Sequence, residues 1–166
     1  MGLPKISKGK WDAFFLKALT FGQMSYDSKK LFFMNFLLCG LARTAVMMLS
    51  YKRLSKYFGH CCQQTVASTM ISTSQLQQGI VLKRSIQLAS RYTPWTSNCL
   101  VQALVAKFWC QHYAIPYMFY IGFQKNAAKP SGLGGHAWVT AGPVTLSGGD
   151  SFDTFSVLVS YTSQAI

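Results

Sequence analysis

Two prolines, Pro94 and Pro116, bound the segment that most constrains the fold of this 166-residue chain. Proline fixes φ and lacks a backbone N–H, so a helix between them begins after the first and ends before the second. Ser97 or Asn98 can cap its start. Apolar residues then recur at three- and four-residue spacing, namely Val101, Leu104, Val105, Phe108 and Trp109. The pattern predicts a helix with one face buried against another element.

Cys99 falls in the first turn of this predicted helix. The helix dipole and the unpaired N–H groups of a first turn both stabilise a thiolate. Taken alone, a cysteine in such a place is more often a small buried apolar residue. Cys99 is therefore a candidate nucleophile that needs a partner base.

The candidate base is His136, in the sequence GLGGHAWVT. Glycines end a loop there, and the alternation that follows predicts that His136 begins a strand. A thiol at a helix start and an imidazole at a strand start are each held by a rigid element and can meet in space. Trp138 shares the predicted sheet face of His136, so it either walls the site or is a core aromatic.

Several short motifs resemble those of the transglutaminase-like cysteine peptidases of lasso-peptide biosynthesis, the B proteins that remove leader peptides. They are Pro94-Trp95, the run from Cys99 to Leu104, Ile115-Pro116, Ile121-Gly122-Phe123 and His136-Ala137-Trp138-Val139. Residues 11–59 are similar to the helical N-terminal part of the split form of that family. The resemblance therefore covers nearly the whole chain.

This resemblance implies that Cys99 and His136 cut a leader peptide from a ribosomally made precursor, while an Asp orients the histidine. The family places that Asp near position 148, where this chain has glycines. Asp150 is the nearest acidic residue, and Asp153 is the other one in this half of the chain. A backbone carbonyl or an amide is also able to orient the ring. The resemblance further implies a small leader-binding partner protein and the ATP-dependent lasso cyclase as partners, and no cofactor.

The patterns together predict an α+β fold, with helices first and then one antiparallel sheet against which the Cys99 helix packs. This is the papain-like core that the resemblance implies. We expect one compact unit with a helical region over 1–62, a polar linker or lid over 63–78 and the transglutaminase-like core over 79–166. Helices are predicted at 11–19, 29–49, 51–58 and 79–92, and a strand meander at 117–123, 136–140, 144–146 and 155–161.

The predicted helix over 29–49 is the one candidate for a membrane span. Its apolar run from Leu31 to Leu49 is nominally long enough. Arg43 lies inside the run and would cost about 2.5–3.5 kcal/mol at the centre of a spanning helix. We therefore expect a core helix buried between its neighbours, with a transmembrane helix as the alternative. Peripheral membrane contact also stays open.

The chain is strongly basic, with 16 Lys and Arg residues against 4 acidic ones and a formal net charge of +12. Such a surface either provides solubility or attracts something acidic, such as an acidic peptide, anionic lipid or nucleic acid. No Gly-rich Lys-Ser/Thr motif is present, so ATP binding is not predicted, and no nucleic-acid partner is expected.

The five cysteines, including the adjacent Cys61 and Cys62, show neither a disulfide framework nor zinc spacing. We expect reduced thiols, no metal and, in the absence of a targeting signal, a cytoplasmic protein.

Two other function classes stay open. One is a different Cys–His acyltransferase of the same fold, which accepts an amine in place of water. The other is a basic adaptor for a membrane or partner, which leaves Cys99 and His136 unexplained.

Overall fold

The computed structural model describes residues 25–63, 69–125, 133–149 and 154–163. Its helices are α1 (Tyr26–Met48), α2 (Tyr51–Leu54), which continues as a 3-10 turn over Ser55–Tyr57, α3 (Thr73–Tyr92) and α4 (Cys99–His112). Its strands are β1 (His60–Gln63), β2 (Met118–Lys125), β3 (Leu133–Ala141), β4 (Val144–Ser147) and β5 (Ser156–Thr162). The predicted α+β fold is confirmed. The helix predicted at 11–19 lies outside the described residues.

The five strands form one antiparallel sheet in the order β1-β5-β2-β3-β4. The predicted meander is correct for β2, β3 and β4. It is wrong for β5, which pairs with β2 on the side opposite β3. It also does not include β1, which pairs with β5. Four of the five strands thus come from the C-terminal half, and the segment predicted as helical supplies the fifth.

The sheet separates two apolar layers, because successive side chains of a strand point to opposite faces. On one face Phe119 and Val139 join the main core with the helices. On the reverse face Met118, Tyr120 and Trp138 form a second cluster, with Phe155 and Val157 packed against it. The pairing of β2 with β5 shifts register between Ile121, which pairs with Val159, and Gly122, which pairs with Val157.

Helix α4 packs on β3 and β4, as predicted, and helices α1 and α3 pack against it and each other. Asn35 anchors α1 to this core. Its Nδ2 donates to Ser85 Oγ at 2.8 Å, and the indole Nε1 of Trp109 donates to its Oδ1 at 2.6 Å. These two bonds pair a fully buried amide, which would otherwise be costly to bury.

The expectation that α1 is enclosed by its neighbours is correct for one side only. Its buried residues are Phe32, Asn35 and Cys39, which share one face. The opposite face is exposed to solvent although it is apolar. By length and composition alone α1 is able to cross a membrane, and about one sixth of its most apolar window is buried.

Two further segments differ from the sequence prediction. Helix α3 begins at Thr73, inside the segment predicted as a linker or lid, because Ser72 and Gln75 form a reciprocal capping box. Gln75 N donates to Ser72 Oγ at 3.3 Å, and Ser72 N donates to Gln75 Oε1 at 2.9 Å. Strand β3 begins at Leu133, so His136 is its fourth residue instead of its first.

Candidate active site

The turn that leads into α4 is fixed by side-chain hydrogen bonds. Thr93 Oγ1 lies 2.8 Å from Ser97 Oγ and 3.1 Å from the Trp95 carbonyl oxygen. Gln102, one turn into the helix, donates from Nε2 to the Ser97 carbonyl at 2.9 Å. The chain therefore enters α4 from a defined direction, which holds the first residue of the helix in place.

That first residue is Cys99, which the sequence places in the first turn of this helix. Of the two candidate caps, Asn98 is the one used, since its Oδ1 accepts from Val101 N at 3.1 Å. Helix geometry leaves the N–H groups of Cys99 and Leu100 without intrahelical acceptors. Cys99 is half-buried, so its thiol and these donors lie together at a partly accessible helix start. Such donors are suited to stabilise a developing oxyanion.

The other four cysteines lie in different environments. Cys39 and Cys110 are fully buried in the main core. Burial raises the pKa of both thiols, that of Cys110 to about 12. Cys61 and Cys62 lie on the edge strand β1, and none of the five forms a disulfide. In the described part of the chain no group of three His, Cys or acidic residues is arranged to hold a metal ion.

His136 lies in an aromatic setting on the reverse face of the sheet. Its ring stacks on Phe155 with centroids 4.6 Å apart and on Trp138 at 5.8 Å. Trp138 shares the face of His136, as predicted, and is itself almost fully buried. It therefore fulfils both roles considered for it, because it belongs to an apolar cluster and also forms one side of the histidine's surroundings.

A backbone carbonyl orients the His136 ring. Its Nε2 lies 2.7 Å from the Gly148 carbonyl oxygen. A carbonyl oxygen only accepts, so Nε2 carries the proton and donates it. In the neutral imidazole Nδ1 then has the lone pair and is the atom able to act as a base.

Asp150 and Asp153, the two acidic candidates for this orienting role, lie outside the described residues. The Gly148 carbonyl occupies the place near which the resemblance puts the Asp. Gly148 has φ +97°, and a Cβ at this position would collide with Cβ of Trp138. A backbone acceptor leaves no side-chain signal in a sequence. The adjacent glycines are the only indication that the chain approaches the ring so closely.

The structure carries Cys99 and His136 on elements that pack together, since α4 lies against β3. The two side chains project from different sides of these elements. Ala137 and Val139 belong to the main core with α4, whereas His136 projects with Trp138 from the reverse face. Among the described residues no hydrogen bond joins the thiol to the ring.

A family model for the transglutaminase-like superfamily matches residues 45–160. The match includes α3, α4, the first four strands, most of β5, and both Cys99 and His136. No curated protein and no solved structure matches the chain. The superfamily includes cysteine peptidases, and its domain points to a cysteine-based peptidase or acyltransferase. The matched range spans more than two thirds of the sequence, so this chain belongs to the transglutaminase-like superfamily.

Proposed function

We propose that the protein is a cysteine endopeptidase that removes the leader peptide from a ribosomally made lasso-peptide precursor. The observation that carries the proposal is Cys99 as the first, Asn98-capped residue of the central helix of a transglutaminase-like domain. The tautomer of His136, with Nδ1 free of the proton, supplies a base of the required kind. The motifs shared with the lasso B proteins indicate the substrate class.

The reaction is acyl transfer to water. His136 Nδ1 takes the thiol proton, and the Cys99 thiolate attacks the scissile carbonyl carbon. The backbone N–H of Cys99 donates to the oxyanion. His136 then protonates the leaving amine, so the C–N bond breaks and the leader remains on sulfur as a thioester. Water, deprotonated by His136, hydrolyses the thioester and regenerates the thiol.

This chemistry requires the thiol and the ring to approach each other when substrate binds. Catalytic hydrogen bonds often tighten only in the complex with substrate, so their absence from the free protein is compatible with the role. A bifunctional haloketone that bridges a thiol and an imidazole tests the approach directly. We expect 1,3-dibromoacetone to cross-link Cys99 to His136, detected by peptide mapping.

We further propose that recognition of the precursor depends on a small leader-binding partner, and that the lasso cyclase uses the product. Strands β1 and β4 are the two outer strands of the sheet. An outer strand offers unpaired backbone groups, to which a peptide or partner strand is able to add. The isolated chain should therefore cleave its precursor slowly, and the partner should raise the rate by concentrating the scissile bond at Cys99.

The test is leader cleavage, followed by mass spectrometry, with and without the partner. Cys99→Ala and His136→Ala should each abolish cleavage, and Cys61→Ala is the matched control with the thiol on exposed β1. Reaction in ¹⁸O-water separates hydrolysis from transfer to an amine, because only hydrolysis puts ¹⁸O into the new carboxylate of the leader. Undiminished cleavage by folded Cys99→Ala protein refutes the proposal.

A further inference from the structure

The outer face of α1 carries seven large apolar side chains that are exposed to solvent. We define this outer face as Tyr26, Phe33, Met34, Leu37, Leu41, Met47 and Met48, which are 40% to 80% exposed. Helical spacing places six of them opposite the buried Phe32, Asn35 and Cys39, and Met47 lies at the border of the face. Soluble monomers rarely expose so continuous an apolar surface unless it binds something.

An apolar groove continues this surface. It has a volume of about 310 Å³ and runs between α1, the α2 segment and α4, with Leu38, Leu41, Leu54, Tyr57 and Phe108 among its lining residues. Leu41 belongs both to the outer face and to the groove. The apolar surface therefore extends from one side of α1 to the exposed Tyr57 at the end of the α2 segment.

Basic residues border the same surface. Lys30 lies on the exposed side of α1, and Lys52, Arg53 and Lys56 are exposed on the α2 segment. Asp27 is the one acidic residue within the described ranges. The electrostatic potential beside the apolar surface is therefore positive, which complements an anionic partner.

Tyrosines mark both ends of the surface. Tyr26 begins α1 and is 80% exposed, while Tyr51 and Tyr57, just beyond its other end, are 54% and 63% exposed. An aromatic ring with a polar tip suits the boundary between hydrocarbon and water. Apolar side chains between tyrosines and beside Lys and Arg form the pattern of a helix that lies in a membrane interface.

We propose that the outer face of α1 and the adjoining α2 segment dock this protein on an anionic phospholipid surface. Helix α1 lies in the plane of the headgroups and does not cross the bilayer. Its inner side is held to the core through Asn35, which bonds Trp109 and Ser85, and a spanning orientation would separate these groups.

A lipid surface fits the face better than a protein partner does. Protein interfaces fix their register with about one hydrogen bond per 100–200 Å². The hydroxyl of Thr44, a polar side chain on this side of α1, already donates to the Gly40 carbonyl of its own helix at 3.0 Å. A lipid surface needs no register, and lysine and arginine side chains are able to reach its phosphates from the edges of the apolar surface.

The test is co-sedimentation of the full-length protein with phosphatidylcholine vesicles that contain or lack phosphatidylglycerol. Binding should require the anionic lipid and weaken as salt rises, because exposed charges are screened. Leu37→Gln/Leu41→Gln should weaken binding by about tenfold or more, since two exposed leucines no longer enter the interface. The matched control is Val81→Gln/Leu158→Gln, on α3 and β5, at 55% and 53% exposure in the wild type.

A variant that removes two positive charges measures the electrostatic contribution to vesicle binding. Lys52→Gln/Arg53→Gln should reduce binding and its salt dependence, whereas Arg84→Gln on α3 should change neither substantially. Equal binding to neutral and anionic vesicles, or no effect of Leu37→Gln/Leu41→Gln, overturns the proposal. A second result also overturns the proposal: the wild type binds no vesicles but self-associates without lipid, and Leu37→Gln/Leu41→Gln abolishes that self-association. This result identifies the face as a protein interface.

Discussion

His136 donates from Nε2 to the carbonyl oxygen of Gly148 at 2.7 Å, so a neutral backbone group orients the ring. A carboxylate in this place would fix the same tautomer and would also stabilise the imidazolium. The carbonyl supplies the orientation through a dipole and no full charge. The orientation of the His136 ring thus depends on the backbone conformation at Gly148.

The first prediction concerns that conformation. Gly148→Ala should lower both the melting temperature and any leader cleavage, because the new Cβ collides with Trp138 beside the histidine. Gly149→Ala is the control, since Gly149 also has positive φ, +73°, but a Cβ there has open space. Both variants bear the left-handed strain of about 1–2 kcal/mol, and only Gly148→Ala adds the steric cost. Equal effects in thermal melts and cleavage assays would show that the close approach is unimportant.

The second prediction concerns thiol reactivity. Iodoacetamide near neutral pH should label Cys99 first, because a helix start stabilises a thiolate. Cys39 and Cys110 should resist labelling in the folded protein, since burial raises their pKa and blocks access. Peptide mapping over time measures the order, and the unfolded protein should label at all five sites. Earlier labelling of exposed Cys61 would mean that access, and not thiolate stabilisation, sets the order.

The third prediction concerns the buried amide of α1. Asn35→Leu should lower the free energy of unfolding by about 1–3 kcal/mol, because it leaves the Trp109 N–H buried without its acceptor. Asn35→Leu/Trp109→Phe should recover part of that loss, since the unpaired donor is gone. Thr44→Val, on the exposed side of α1, should change stability by about 0.5 kcal/mol or less. Denaturant titrations of the wild type, these three variants and the single variant Trp109→Phe decide, and a fully additive double variant would contradict the coupling.

The fourth prediction concerns alkaline pH. Burial raises the pKa of Cys110 from 9.0 and that of Tyr117 from 10.0, each to about 12, and the nearby Cys110 contributes to the shift of Tyr117. Above pH 9 the unfolded chain loses these protons before the folded chain does. The stability that they provide is therefore complete below about pH 9 and is lost as pH rises towards 12.

Each such proton gives a slope of about 1.4 kcal/mol per pH unit at most. Urea titrations between pH 8 and pH 10.5 should show this fall in the free energy of unfolding. Tyr117→Phe should have a shallower slope above pH 10, although it loses the bond from the Tyr117 hydroxyl to the Phe58 carbonyl. A stability that stays flat across this range would argue against both shifts.

The elements that the sequence predicts well are those with local signals at their ends. Helix α4 is such an element, because Pro94, Asn98 and Pro116 limit it and its apolar spacing is regular. Helix α3 carried a local signal as well, the Ser72 and Gln75 capping box. The polar composition of the segment favours a linker over this signal, so the sequence does not predict the first turns of α3.

The features that escaped prediction depend on distant partners. Strand β1 has four residues and no alternation, and it is a strand because β5 lies beside it. The exposure of α1 depends on how many other elements pack against it, and the apolar sequence of the helix does not show that number. In the candidate site, the positions of Cys99 and His136 follow from local patterns, whereas the Gly148 acceptor arises only when β3 and β4 pair.

Strand β5 holds one residue more than its pairing with β2 uses. Val159 pairs with Ile121 and Val157 with Gly122, so Leu158 between them has no partner on β2 and is 53% exposed. The extra residue is accommodated by the register shift between β2 and β5, as a one-residue insertion would be. In a chain without Leu158, the two valines would be consecutive, would still face opposite layers and would pair with the same residues. The two-layered packing thus depends on the order of the paired residues, and Leu158 is a place where this strand tolerates a change in length.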